Sequence, residues 1–165
     1  MHAKASGRPP QRRPGVRGVL ALLAATAALA CGPPSPRAIA FNEDACAYCK
    51  MTISDPRFGG EVVTRTGRVE TFDSIDCMTA WIHGADTASI AGIYVLDFEH
   101  PGALVDVKAA GFLRGISVQA PMGNAIAAFA TPGAAEGSRG VLGGSVVAWG
   151  DLLAGTGDAH THTTP

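Results

Sequence analysis

Charge is scarce in this 165-residue chain. Asp, Glu, Lys and Arg make up 16% of it, and the formal net charge is −1. That balance excludes a basic nucleic-acid binder as the starting reading. No acidic residue precedes Glu43. Cysteine is rare, at four residues. An exported disulfide scaffold would carry a larger set. No apolar run is long enough to span a bilayer. Glycine is frequent, yet it follows no collagen-like period, and the core-forming residues are too many for a wholly disordered chain. The length suits one domain or two very small ones.

What charge there is lies unevenly. Lys4, Arg8, Arg12, Arg13 and Arg17 form a basic head, followed by the apolar run GVLALLAATAALA over 18–30 and then Cys31. A positive head, a short apolar stretch and small residues before a cut are the plan of a secretory signal peptide. As a helix the run is roughly 20 Å long, short of the ~30 Å bilayer core. Residues 1–30 therefore read as a signal peptide. Ala28-Leu29-Ala30-Cys31 resembles a bacterial lipobox, which makes Cys31 the lipidated first residue of the mature chain. Ordinary cleavage near Ala30 is the alternative, and Arg12-Arg13 matches a twin-arginine signal poorly. Residues 31–41, rich in proline and small side chains, read as a lipidated tether. With the basic head set aside, eight of the 13 basic residues and all 14 acidic ones remain, a net charge of −6.

Beyond the tether, 42–51 (NEDACAYCKM) has no helical or strand period and reads as a loop. Glu61–Thr66 and Arg68–Asp73 are β-prone runs around Gly67, the pattern of a hairpin. In Ser74–His83, Ile75, Met78, Trp81 and Ile82 fall on one helical face, with Asp73 or Ser74 as N-cap and Gly84 as the stop. Ile93–Phe98 reads as a strand. The order β-β-α-β then recurs. Strands are expected at Ala103–Lys108, Gly115–Val118 and 124–129. A helix is expected at Thr131–Arg139, with Pro132 in its first turn. A last strand closes Val141–Trp149. The fold class is α+β, two small ββαβ units over 42–100 and 101–154. Each would be marginal alone, so they must pack together. The polar tail, 155–165, reads as disordered.

The densest chemical signal is the loop Cys46-Ala-Tyr-Cys49-Lys-Met51. Cys46 and Cys49 can converge in a turn. Cys49 and Met51 share a face if the chain is extended. Thiolate and thioether are soft donors that favour Cu(I) over Mg, Ca or Mn. Other chemistries compete for this motif. A redox CxxC lacks its thioredoxin-like βαβ context. A zinc ribbon lacks a second pair. A c-type haem site would place His where Lys50 stands. A structural Cys46–Cys49 disulfide remains open. Lys50 beside a thiolate would lower its pKa by charge pairing. Met122, in Pro121-Met122-Gly123, lies in a loop with no period to aim it inward. Cys77 reads as a buried thiol within reach of a nearby site, and Met78 as core. His83 suits the end of a helix. His100 sits in a loop, and His160 and His162 form a metal-capable tail. Trp81 and Trp149 read as core. Asp73, Asp76 and Asp97 form no recognisable acid–base pair. No phosphate loop, nucleophile elbow or HExxH motif is present, so no enzyme is indicated.

Taken together, a lipoprotein-like start, Tyr48-Cys49-Lys-Met51, Phe72-Asp73-Ser74 before a helix, Pro121-Met122-Gly123 ahead of AIAAF, and the closing GGSVVAW resemble the NosL family. These are accessory lipoproteins of nitrous oxide reductase. The resemblance covers most of residues 44–153, in order. It implies two ββαβ units related to the fold of the organomercurial lyase MerB. It also implies Cu(I) binding and delivery to the reductase in denitrification, with a copper-supplying transporter as a further partner. By residue it implies Cys49, Met51 and Met122 as copper ligands; the added Cys46 departs from the family pattern and is read as a further sulfur donor to the site. Family members often carry Gly at the position of Lys50, and a single Cys. The implied location is the cell envelope, lipid-anchored and facing the periplasm or cell exterior. The competing reading is a thiol–disulfide oxidoreductase working through Cys46 and Cys49.

Overall fold

The computed structural model describes residues 32–123 and 125–155. The signal peptide, Cys31, the twin arginines and the tail histidines fall outside the described residues.

Among the described residues, seven strands form two sheets. The first has the order β2-β1-β3-β4, with β1 Gly60–Thr64, β2 Val69–Phe72, β3 Ile90–Leu96 and β4 Leu104–Asp106. All its pairings are antiparallel. The expected hairpin is present. β1 and β2 meet with Gly60 opposite Phe72, and the turn runs through Gly67 at φ 85°, a conformation that glycine adopts without a steric penalty. β1 is flanked by strands on both sides, and all five of its residues are buried, Glu61 among them.

Helix α1, Ile75–Gly84, follows β2 directly. Ser74 is its N-cap and accepts a hydrogen bond from the Cys77 N–H at 3.1 Å. That contact fixes where the helix starts and places Cys77 in its first turn. The expected apolar face is the buried one. Ile75, Met78 and Ile82 pack with Val62, Phe72 and Val95, and Trp81 lies against Phe72 with ring centroids 5.6 Å apart.

The second sheet has the order β6-β5-β7, with β5 Gly111–Arg114, β6 Ile126–Phe129 and β7 Ser145–Val147. Helix α2, Pro132–Leu142, joins β6 to β7, capped by the Thr131 side chain. Side chains on β5 and β6 alternate between two cores. Phe112, Ile126 and Ala128 join the cluster under α1, whereas Leu113, Ala127 and Phe129 pack with Phe58 and Ala135 of α2. A parallel bridge between Asp97 and Ala128 links the end of β3 to β6. The α+β class with two ββαβ-type sheets is the observed architecture.

Three elements differ from the sequence reading. The strand expected at 115–118 lies instead at Gly111–Arg114, because Gly115 takes a left-handed φ of 76° and turns the chain away. The strand expected at 103–108 pairs with β3, in the first sheet rather than the second unit. The closing apolar run ends in a short helix, α3 (Trp149–Gly155), which begins where a strand was expected to end. Trp149 stacks near Phe112, with centroids 5.7 Å apart, and Leu152 is buried in the shared core.

Candidate metal centre

The CxxC loop is a closed clasp. Ala45 and Thr52 form an antiparallel bridge. Inside it, the Cys46 N–H donates to the Met51 carbonyl at 2.8 Å, and the Lys50 N–H donates to the Cys46 carbonyl at 3.0 Å. This single helical turn carries Cys49 back beside Cys46. Lys50 closes it in the left-handed region, at φ 67°. A lysine there is strained by its Cβ, and glycine would not be. The Ala47 N–H donates to the Thr71 carbonyl and fastens the clasp to β2.

β2 leads into Asp73, Ser74 and the first turn of α1. The clasp and that turn bring four donors together. One donor atom from each of Cys46, Cys49, Asp73 and Cys77 lies within 4.8 Å of the other three. Among the described residues, no other three or more Cys, His, Asp or Glu side chains are grouped closely enough to share an ion. Cys46, Cys77 and Asp73 are 0%, 2% and 3% exposed, and Cys49 is half-buried. All three cysteines are free thiols. The Cys49 thiol donates to Asp73 Oδ2 at 3.5 Å, and the buried Asp73 Oδ1 has no hydrogen-bond partner.

The thiols differ in acidity. Cys46 is drawn down to about 6, chiefly by the hydrogen bond from Cys77, with backbone N–H groups of Asp73, Cys49 and Tyr48 assisting. Cys77, the other partner of that bond, is pushed up by it and by burial. Cys49 is raised, first by desolvation. The lowering of Cys49 expected from Lys50 does not occur. The Lys50 ammonium is bound to the Ala47 carbonyl at 2.6 Å, within its own loop.

A pocket of ≈ 450 Å³ opens beside this cluster. Met51, Arg57 and Asp73 line one side, and Gln119, Ala120 and Pro121 the other. Met122 follows on a turn closed by the Gly123 N–H to the Ala120 carbonyl, 3.1 Å. Met51 and Met122 are exposed, at 55% and 41%. Of the expected site residues, Cys46 and Cys49 therefore lie together. Met51 shares its pocket with Asp73 and with the loop that leads to Met122. Cys77 was expected as a buried thiol within reach of the site, though not among the ligands, and Asp73 was not expected in the group. The signal for them was the helix start, since an N-cap at Ser74 puts Cys77 in the first turn, beside Asp73.

A profile of the NosL family matches residues 38–155. The chain belongs to the NosL family. The matched span holds every strand and helix described above, and the four donors with them. The copper-binding lipoprotein NosL of Stutzerimonas stutzeri is 29% identical over 154 residues, which cover 85% of this chain and 81% of that one. The crystal structure of the copper chaperone NosL from Shewanella denitrificans superposes with a TM-score of 0.64 at 24% identity, over 73% of this chain and 96% of that one. That likeness speaks to the NosL fold. Neither NosL relative is named as an enzyme.

Proposed function

We propose that this chain is an envelope carrier of Cu(I), anchored through a lipid on Cys31, that hands copper to an exported copper enzyme. The resemblance of its motifs points to nitrous oxide reductase as the client and to a copper transporter as the source. The observation that carries the reading is the convergence of free thiols beside a pocket bordered by Met51 and by the loop before Met122. The names of the two relatives support it.

The chemistry follows from donor type and exposure. Cys49, Met51 and Met122, with Cys46 behind them, make a sulfur-rich set that favours a soft monovalent cation. Thioethers are neutral and bind weakly enough to be exchanged. Exposed thioethers on two loops let a partner's ligands enter one at a time while the thiol still holds the ion. A closed four-ligand surface site would resist that exchange.

The oxidoreductase alternative is less well served. Its attacking thiol must be both ionised and accessible. Here Cys46, whose acidity is raised, is sealed, and Cys49, which is reachable, holds its proton more tightly.

Anaerobic titration of the soluble mature form with Cu(I), against a chromophoric chelator, tests the carrier reading. About one tightly held Cu(I) per chain is expected. A chain that cannot withdraw copper from the chelator, yet turns over in a disulfide-exchange assay, would be an oxidoreductase instead.

A further inference from the structure

Cys77 and Asp73 have no part in the ligand set that the motifs imply, yet both lie against it. Two atoms bound to one ion at about 2.3 Å each stand at most about 4.6 Å apart, and closer in trigonal or tetrahedral geometry. Four donors already within 4.8 Å need to close by only about an ångström or less to share an ion. Burial separates the donors into two groups. Cys46, Cys77 and Asp73 are sealed, Met51 and Met122 are exposed, and Cys49 stands between. Asp73 also carries a buried oxygen without a hydrogen-bond partner, an uncommon and costly arrangement in an empty protein interior.

We propose that Cys77 joins Cys46 and Cys49 in a buried trithiol station for Cu(I), bordered by Asp73 and entered through Cys49 from the exposed methionine rim. This rests on the carrier reading and deepens it. Cys49 is common to rim and interior, so one ion moves between two settings and the stoichiometry stays near one. The backbone N–H groups of Asp73, Cys49 and Tyr48, which bond to the Cys46 sulfur, offset the negative charge of bound thiolates. The inner setting excludes water and oxidants, and the rim is where a partner collects.

The test is anaerobic. X-ray absorption of the Cu(I)-loaded wild-type chain should count three sulfur neighbours. Cys77→Ser should lose one of them and weaken Cu(I) affinity roughly 10- to 100-fold, the scale seen when groups supporting a metal are removed. Circular dichroism of the metal-free variant checks its fold, and Cys77→Ala replaces it if serine prevents folding. A wild-type spectrum with methionine-type scattering and a single thiolate overturns the station, whatever the variants do. So does unchanged affinity in a folded Cys77 variant, or preferential retention of Zn(II) over Cu(I) by the wild type. Failure of the wild type to take copper from the chelator at all sinks the carrier reading instead, so the two failures are distinct.

Discussion

The Cys49 thiol donates to the Asp73 carboxylate at 3.5 Å, across 24 residues of sequence. One group belongs to the clasp and the other to the entrance of α1, so the contact joins the two segments that build the site. Cys49→Ser should keep the fold, because the side chain is only half-buried. It should weaken Cu(I) binding by at least about tenfold, some 1.4 kcal/mol. Competition against a chelator reads this directly. Equal affinity in the variant would remove Cys49 from the site.

The methionines should separate binding from folding. Met51→Ala and Met122→Ala remove exposed side chains, so stability should stay within about 0.5 kcal/mol of wild type. Hand-over of Cu(I) to a chelator, followed by stopped flow, should change about tenfold with loss of a thioether. If Met122→Ala alters neither affinity nor transfer, the two-loop site is wrong.

Ser74→Ala tests the helix start. It removes the cap on the Cys77 N–H and should cost about 1–2 kcal/mol. It should also loosen the register of Cys77, so metal-free stability and copper affinity should fall together. Denaturant titration, with and without Cu(I), measures both.

Gly59 lies against the end of β2 at φ 83°. An added Cβ would collide with the Phe72 carbonyl oxygen and come within 2.8 Å of the Asp73 carbonyl carbon. Both obstacles are backbone. Gly59→Ala should therefore destabilise by about 2–4 kcal/mol, read as a lowered melting temperature.

Glu61 gives a pH signature. Burial lifts its carboxyl from an ordinary 4.5 to about 7, against the opposing Arg37 N–H and guanidinium, while Asp44 pushes the same way as burial. The folded chain therefore binds this proton more tightly than the unfolded one. The resulting stabilisation is complete below about pH 4.5 and is lost as pH rises through about 7. Glu61→Gln keeps an oxygen for the Arg37 N–H and cannot ionise. Between pH 5 and pH 8 its stability relative to wild type should improve by about 1–3 kcal/mol. Parallel urea melts at the two values decide it, and a pH-independent difference would contradict the assignment.

The legible parts of the fold were those with strong local patterns. The hairpin about Gly67 and the apolar face of α1 are set by period and turn chemistry, and both are present. β5 and α3 were misread because each is short and lies beside a stronger apolar neighbour. Only the left-handed Gly115 tells where the first of them stops. In the site, the CxxC spacing announced Cys46 and Cys49. The place of Cys77 depends on the angle at which α1 leaves β2, and the binding of the Lys50 ammonium to the Ala47 carbonyl depends on the inward curl of its own loop. Neither is written in residue spacing.

The bridge between Ala45 and Thr52, with its internal backbone bonds, has a kinetic consequence. A hairpin held at both ends has little slack to surrender when cargo docks. On the carrier reading, capture then demands almost no reorganisation from the cysteine side. The tempo of loading and release would be governed from across the opening, where the turn bearing Met122 acts as the latch.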